Sequence, residues 1–305
     1  MNKQFKQFLK DITLSKADRD DAETKYTGVG KKLHSHYYGG TYDDSKKFLF
    51  GSHKTHTNIL PICDGHDVDL IFKIPREIFD KYDAYESSGQ AALLQDVRNA
   101  LKEKYTTTDK IKAWTKVVLV EFSEGHHNVE VLPALELEDG TFKIPNSCDG
   151  GDWEIFDPRA ELKKFEDSNK ASDGLTRDLA KMIKSWIRKT SSLDYTSYKM
   201  LNDVIEFVNT NYSDGIGNDT YADVVCAFFD YLETSCDDDD PRLSAIKTAH
   251  SRAIKAMEYA DDNKPKEASE KWRQIFGDKF PLVEKNPERE IKAAPIVNPA
   301  RPWLG

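Results

Sequence analysis

The spacing of apolar residues divides the chain into a first half that mixes helices with strands and a second half that is helical. Apolar positions three or four residues apart predict helices over residues 3–38 and 91–104. Ser15 is the predicted cap between two segments of the first of these helices. From Trp153 onward the spacing is helical again and continues to about residue 276. These patterns predict an α+β fold with two parts.

Short apolar runs between and after the first helices predict β-strands. They cover residues 48–50, 70–74, 115–122 and 128–134. A turn around Gly125 favours a hairpin between the last two of these runs. Asp139-Gly140 favours another hairpin between Leu137 and Phe142. The strands of the first half are therefore predicted to lie beside one another in a sheet.

The helix predicted over residues 172–189 has the clearest pattern of the second half, with Ser172 or Asp173 as its N-cap. Opposite its apolar face runs a basic stripe, which consists of Arg177, Lys181, Lys184 and Arg188. A solvated surface would account for such a stripe, and so would a cleft that holds a triphosphate. Further helices are predicted at about residues 195–208, 219–234, 242–260 and 264–276.

Two short motifs in the first half carry the candidate chemistry. Gly51-Ser52 ends one apolar run, and Asp67 and Asp69 open the next. Because side chains alternate along a strand, the two carboxylates point to the same side and can reach one cation. Gly51 lets the backbone approach a phosphate, and Ser52 adds a hydroxyl and an amide. Together the motifs predict a site where a metal ion and a triphosphate meet.

Glu130 is the third candidate metal ligand. It lies alone among apolar residues in the strand predicted at 128–134, where an unpaired buried carboxylate would be costly. A position at a strand end or an ion pair would also explain it. The two nearby aspartates make a metal ligand the better interpretation.

Composition and charge narrow the class of protein. The chain has 305 residues, a net charge of −9 and 32% charged residues, which suits a globular protein with two subdomains. Its acidity disfavours sequence-blind attachment to nucleic acid, but a small anionic substrate needs only a local cluster of cations. With no long apolar run and no secretory signal, a cytosolic location away from membranes is predicted. The four cysteines form no CxxC pair, so neither zinc nor a disulfide framework is indicated.

The order of these motifs resembles that of polymerase-β-like nucleotidyltransferases, in which a Gly-Ser pair, an Asp-x-Asp pair and a later carboxylate precede a helical half. The second half is similar to that of the cGAS/DncV-like nucleotidyltransferases, the bacterial cyclic-oligonucleotide synthases of CBASS anti-phage operons. That similarity is carried by Asp157-Pro158, Asn169, Lys184-Ser185-Trp186, Ser197-Tyr198, the run from Trp272 to Gly277, and Phe280-Pro281. The resemblance spans roughly residues 1–282.

The resemblance implies a bilobal α+β fold with a central cleft. Residues 1–158 would form a polymerase-β-like nucleotidyltransferase core, a mixed sheet with helices that includes the N-terminal helices. Residues 159–282 would form a helical bundle of the oligoadenylate-synthase type. Residues 283–305 would be a flexible C-terminal tail.

The resemblance also assigns roles to residues. Asp67, Asp69 and Glu130 would be catalytic and would ligate two Mg²⁺ ions, with Mn²⁺ as an alternative. The nucleotide-binding residues would be Gly51, Ser52, Lys184, Ser197 and Tyr198, the first four at the phosphates and Tyr198 stacked on the donor base. Glu130 departs from the family, because Asp is the commoner residue there.

The activity implied by the resemblance is synthesis of a cyclic di- or trinucleotide second messenger from NTPs, ATP among them, in anti-phage signalling. Implied partners are CBASS proteins, including an E1/E2-like enzyme that acts on Gly305. Two alternatives stay open: a template-independent nucleotidyltransferase with another acceptor, and a catalytically inactive nucleotide-binding scaffold. The acidic charge disfavours an RNA acceptor, and the three retained carboxylates favour an active enzyme.

Overall fold

The computed structural model of the chain describes residues 1–62, 67–106, 110–123, 126–191 and 193–286. The helices are α1 (Asn2–Ile12), α2 (Lys16–Tyr37), α3 (Gly51–Lys54), α4 (Arg76–Asp83), α5 (Gly89–Lys102), α6 (Pro158–Ala171), α7 (Leu175–Lys189), α8 (Ser197–Asn211), α9 (Tyr221–Ser235), α10 (Leu243–Asp261) and α11 (Pro265–Phe276). The strands are β1 (Lys47–Leu49), β2 (Asp67–Lys73), β3 (Ile111–Trp114), β4 (Val117–Val120), β5 (Asn128–Glu136), β6 (Phe142–Asn146) and β7 (Asp152–Phe156). A one-turn 3₁₀ helix at Asp44–Lys46 precedes β1.

The described strands form a mixed sheet whose order is β1-β2-β5-β4-β3, with β6 on β5 and β7 on β6. The central strands β2 and β5 are parallel, and their register sets Asp69 directly opposite Glu130. The flanking pairs are antiparallel, including the hairpin of β5 and β6 around Asp139-Gly140. Residues of β2 and β5 that face the same side are therefore next to one another.

The two faces of these central strands differ in chemistry. One face is buried against α2, α4 and α5, and its residues include Val68, Leu70, Phe72, Val129 and Val131. On the other face, Ile71 and Leu132 belong to a small apolar cluster. Nearer the start of both strands this face becomes acidic, with Asp67, Asp69 and Glu130. The alternation of side chains thus buries one face and leaves the carboxylates on the other.

A second lobe is built from α7 to α11 around its own apolar core. The first helix, α1, packs into this core rather than onto the sheet. Phe5 is fully buried, and its ring centroid lies 5.0 Å from that of Trp272 and 5.1 Å from that of Phe280. The chain thus begins in the helical lobe, builds the sheet lobe from α2 onward, and returns at α7. The domain division at residue 158 stays a prediction.

Several local predictions are confirmed. Ser15 caps α2, and its side chain and that of Asp18 form a reciprocal capping box. The predicted strand pair at residues 115–122 and 128–134 is the antiparallel pair of β4 and β5, although Gly125 itself lies outside the described residues. The predicted tail beyond residue 286, with Gly305, also lies outside them. Within the described part of the chain, no helix is long and apolar enough to cross a membrane.

Other local predictions were wrong. The segment that starts at Trp153 does not begin a helix; it forms β7, because it pairs with β6 and the Trp153 ring packs 4.5 Å from that of Phe79. The helix begins only at Pro158, after the cap Asp157. The N-cap of α7 is Gly174 instead of Ser172 or Asp173, since Ser172 ends α6. The elements α4 and β3 were not predicted.

Replacing Phe5 by Ala should destabilise the protein by about 3–5 kcal/mol, because a buried aromatic side chain leaves a cavity in the helical core. The matched control is Lys3→Ala in the same helix, where the side chain is exposed and a change within about 0.5 kcal/mol is expected. Denaturant unfolding followed by circular dichroism measures both. Equal midpoints for the two variants would contradict the packing of α1 in the helical core.

Candidate active site

A cavity of about 410 Å³ lies where the two lobes face each other. Each of the residues assigned a site role from the sequence lines this cavity: Gly51, Ser52, Asp67, Asp69, Glu130, Lys184, Ser197 and Tyr198. Sequence reasoning missed the other lining residues, which are Phe50, Thr57, Phe156, Glu161 and Leu201. The structure thus brings the predicted residues together, and their chemical roles stay predictions.

Gly51 is the point where the turn after β1 comes closest to the carboxylates. Its φ is +65°, a backbone conformation that favours glycine. A Cβ atom built there would lie only 2.0 Å from Oδ2 of Asp69. The backbone N–H of Phe50 donates to the carbonyl of Asp69 at 3.2 Å. The turn is therefore held directly against β2, and a side chain at Gly51 has no room.

Three of the four carboxylates that line the cavity, Asp67, Asp69 and Glu130, repel one another. Burial raises the pKa of Asp69 to about 7, and the neighbouring charges of Glu130 and Asp67 contribute to the increase. Burial and then the charge of Asp67 raise the pKa of Glu130 to about 7 as well. Like charges in a partly desolvated cavity are costly unless a cation compensates them.

This set of oxygen donors fits a hard divalent cation. Carboxylate oxygens are ligands that Mg²⁺ and related ions prefer, and a bound cation would relieve the repulsion among them. Among the described residues, no three His, Cys, Asp or Glu side chains already form a cluster that could hold a metal ion. The support for a metal site is thus the shared cavity and its excess negative charge, not a preformed cage.

Lys184 brings a positive charge from the helical lobe into the cavity. Its Nζ lies 3.5 Å from Oγ1 of Thr57. Burial lowers the pKa of Lys184 to about 8, the charge of Arg188 acts in the same direction, and Asp69 opposes both. An anionic ligand beside Nζ would favour the charged form that burial disfavours.

Arg177 and Arg188 bind the segment that follows Gly51-Ser52, whereas Lys181 binds Thr13 at the end of α1; none of the three is part of the cavity lining. The contacts are Arg177 Nε to the Thr55 carbonyl at 3.1 Å, Lys181 Nζ to Thr13 Oγ1 at 3.1 Å, and Arg188 to the carbonyls of Ile59 and Pro61 at 3.0 and 3.3 Å. Arg177 and Arg188 thus join the two lobes. Of the four residues of the stripe, Lys184 lines the cavity, and its role at a triphosphate stays a prediction.

Ser197 and Tyr198 enter the cavity at the start of α8. The helix is capped by Thr196, whose side chain accepts a hydrogen bond from the backbone N–H of Lys199. Tyr198 is 64% exposed in spite of its size, and it lines the cavity. An exposed aromatic face inside a cavity can stack on a nucleobase.

Comparisons with known proteins identify what the chain is similar to. The model of the Second Messenger Oligonucleotide or Dinucleotide Synthetase domain matches residues 1–169. The probable cyclic nucleotide synthase of Bacillus cereus strain VD146 is 23% identical over 322 residues, which covers 87% of this chain and 95% of that relative.

Two solved structures share the fold. CdnC of Escherichia coli MS115-1, solved in a complex with HORMA-deltaN, is 17% identical with a TM-score of 0.66, over 92% of this chain and 98% of that chain. The Vibrio cholerae DncV cyclic AMP-GMP synthase, solved with the linear intermediate 5′ pppA(3′,5′)pG, is 13% identical with a TM-score of 0.67, over 89% of this chain and 93% of that one. At such identities the likeness shows the fold alone, and it confirms the predicted α+β nucleotidyltransferase architecture.

Gly51→Ala should destabilise the protein more than Gly39→Ala. The two glycines have nearly the same φ, +65° and +66°, so the backbone strain of about 1–2 kcal/mol is common to both variants. A Cβ at Gly39 meets nothing within 4 Å, whereas one at Gly51 collides with Asp69, which should add about 1–3 kcal/mol. Free energies of unfolding from denaturant titrations measure the difference. The close approach of Gly51 to Asp69 would be disproved by equal losses.

Arg188→Met should loosen the segment after Gly51-Ser52, because it removes the bonds to two backbone carbonyls. The amides of Thr57 and Leu60, which donate to the carbonyls of Ser52 and Ile12, should then exchange with deuterium faster. The control is Lys189→Met, which removes an exposed neighbouring cation and should leave those amides unchanged. Equal exchange in both variants would show that Arg188 does not hold the segment.

Proposed function

The chain belongs to the Second Messenger Oligonucleotide or Dinucleotide Synthetase family, and we propose that it joins nucleoside triphosphates into a cyclic di- or trinucleotide second messenger. It is a nucleotidyltransferase of the cGAS/DncV-like type, as the order of its motifs indicated. The observation that carries the proposal is the single cavity lined by the Gly-Ser turn, three carboxylates, a lysine and an exposed tyrosine. Each is a group that a nucleotide substrate requires.

In this proposal Asp67, Asp69 and Glu130 hold two Mg²⁺ ions, with Mn²⁺ as an alternative. Bound there, the ions would supply Lewis-acid chemistry, neutralising phosphate charge and making a ribose hydroxyl a better nucleophile. Glu130, on the strand beside Asp69, is the proposed acceptor for the proton of the attacking hydroxyl. A carboxylate oxygen within reach of that hydroxyl is what such a role requires.

The remaining residues position the substrate. Ser52 and the backbone at Gly51 would bind the triphosphate from the sheet lobe, and Lys184 with Ser197 would bind it from the helical lobe. Tyr198 would hold the base by stacking. Because phosphoryl chemistry asks little covalent work of the protein, such positioning and charge should dominate the rate.

Ring closure would follow in the same cavity. After the first bond is made, the linear product would turn around so that its free hydroxyl faces its own triphosphate. The relative from Vibrio cholerae was solved with a linear dinucleotide intermediate, which supports a two-step route here by analogy. The same residues would then act twice.

The biological setting belongs to the same proposal. The family resemblance supports anti-phage CBASS signalling in the bacterial cytosol, with ATP among the substrates and no membrane or nucleic acid bound. It also supports an E1/E2-like partner that joins Gly305 to a target. Gly305 lies outside the described part of the chain. We further propose the division into residues 1–158, 159–282 and 283–305 as core, helical domain and tail.

The activity is tested with the full chain, the four NTPs and Mg²⁺ or Mn²⁺, followed by phosphatase treatment and mass spectrometry. A phosphatase-resistant cyclic product is expected, and Asp69→Asn should lower its rate by at least about 100-fold. This variant should be no less stable than the parent, because it removes one of three carboxylates that repel one another. Loss of activity would then reflect chemistry instead of unfolding.

The matched control is Asp80→Asn, an exposed position on α4 away from the cavity lining, which should keep full activity. A chain that binds NTPs but releases no pyrophosphate with either metal would contradict the synthase proposal and favour the scaffold. A linear or acceptor-linked product in place of a ring would favour the other transferase.

A further inference from the structure

Glu161 is a fourth carboxylate of the cavity, and the order of motifs gives it no role. It lies in the first part of α6, just after the Asp157 cap, and lines the same cavity as Tyr198. Within the described ranges its carboxylate makes neither a hydrogen bond nor an ion pair. The side chain is exposed and the charge of Lys164 acts on it, but its oxygens are free to accept hydrogen bonds from a ligand in the cavity.

The packing of α6 on α8 brings Glu161 to the side of the cavity where Tyr198 lies. Nζ of Lys164 donates to Oδ1 of Asn202 at 2.8 Å and so joins the two helices. The side-chain amide of Asn202 in turn donates to the carbonyl of Tyr198 at 3.0 Å. Glu161 lies about one turn before Lys164 on the same face of α6, and Tyr198 lies about one turn before Asn202 on the same face of α8. They therefore border the same end of the cavity.

Charge determines which part of a nucleotide this end can face. A carboxylate accepts hydrogen bonds and donates none when ionised, and it repels phosphate oxygens. Glu161 must therefore meet the base or the ribose rather than the triphosphate. Its neighbour Tyr198 is a flat aromatic surface suited to a base, so a base edge is the nearest source of donors.

The four bases offer different donors to a carboxylate. Guanine presents N1–H and the 2-amino group side by side, which matches two carboxylate oxygens. Adenine and cytosine present one amino group next to a ring nitrogen that accepts, and uracil presents one N–H between two carbonyl oxygens. Only guanine can make two such bonds without placing an acceptor against the carboxylate.

We propose that Glu161 selects guanine on the Tyr198 platform by accepting hydrogen bonds from N1–H and the 2-amino group. This inference rests on the proposed nucleotide binding in the cavity, and it names the base bound at Tyr198. It makes Glu161 a specificity-determining residue with no part in the metal-binding set.

The test measures binding by isothermal titration calorimetry to the full chain with Mg²⁺. The probes are α,β-methylene analogues of GTP, ATP and ITP, which cannot release pyrophosphate; the inosine analogue lacks only the 2-amino group of guanosine. The parent chain should bind the GTP analogue most tightly. Glu161→Gln, which replaces one acceptor oxygen by a donor, should weaken GTP binding by at least about fivefold while changing ATP binding less.

Two further variants keep the result interpretable. Glu166→Gln, an exposed position on the same helix outside the cavity lining, should bind every probe as the parent does. Glu161→Asp keeps two acceptor oxygens. It should still bind the GTP analogue more tightly than the ATP analogue, although the affinity for the GTP analogue should be lower than that of the parent. Circular dichroism of each variant should match the parent.

Several results would overturn the inference: no preference of the parent for guanine, a preference that Glu161→Gln leaves intact, or an equal loss for all bases. An equal loss for all bases would indicate that Glu161 binds the ribose, and binding of 2′-deoxy and 3′-deoxy analogues would verify this. Because the assay needs no turnover, guanine selection without any cyclic product would contradict the synthase proposal and support this inference. A cyclic product whose guanine content is the same in Glu161→Gln and in the parent would support the synthase proposal and contradict this inference.

Discussion

The parallel pairing of β2 and β5 sets the carboxylates of Asp69 and Glu130 side by side, and the cavity depends on that register. A slip of one residue in either strand would turn the carboxylate of that strand into the core and expose its apolar neighbours. The slip is prevented because the opposite faces of the same strands, with Val68 and Val131, are fully buried. Burial on one side of the sheet thus stabilises an arrangement of like charges on the other that would be unfavourable alone.

The turn at Gly51 is held from both lobes, which explains how this loop can be ordered at a lobe boundary. On the sheet side it contacts Asp69. On the helical side Arg177 and Arg188 bind the carbonyls that follow it. Neither of these two cations of α7 is among the residues that line the cavity, and both bind backbone oxygens of the segment after Gly51. Lys184 can therefore face the carboxylates while its neighbours hold the lobes together.

Local patterns predicted much of this structure, and the failures have a common physical cause. The Ser15 cap and the position of Asp67 and Asp69 on the same face of a strand depend only on neighbouring residues, so both could be predicted from the sequence. The strand at Trp153 depends on pairing with β6, which no periodicity within a few residues reveals. The carbonyl partner of Arg177 is 122 residues earlier in the chain. Glu161 resembles any solvated helical residue until α6 packs on α8. Non-local packing decides each of these features.

The two lobes contribute different chemistry to the cavity. The sheet strands contribute carboxylates, α7 contributes Lys184 beside Thr57, and α6 and α8 contribute Glu161 and Tyr198. In the proposed function, a triphosphate would bind near Lys184 and the carboxylates, and a base would bind at Tyr198. Burial and mutual repulsion raise the pKa of Asp69 and of Glu130, and such an arrangement lowers stability relative to an apolar cleft. In the proposed function, a bound nucleotide and its cations would compensate this repulsion, so the local cost in stability accompanies the binding chemistry.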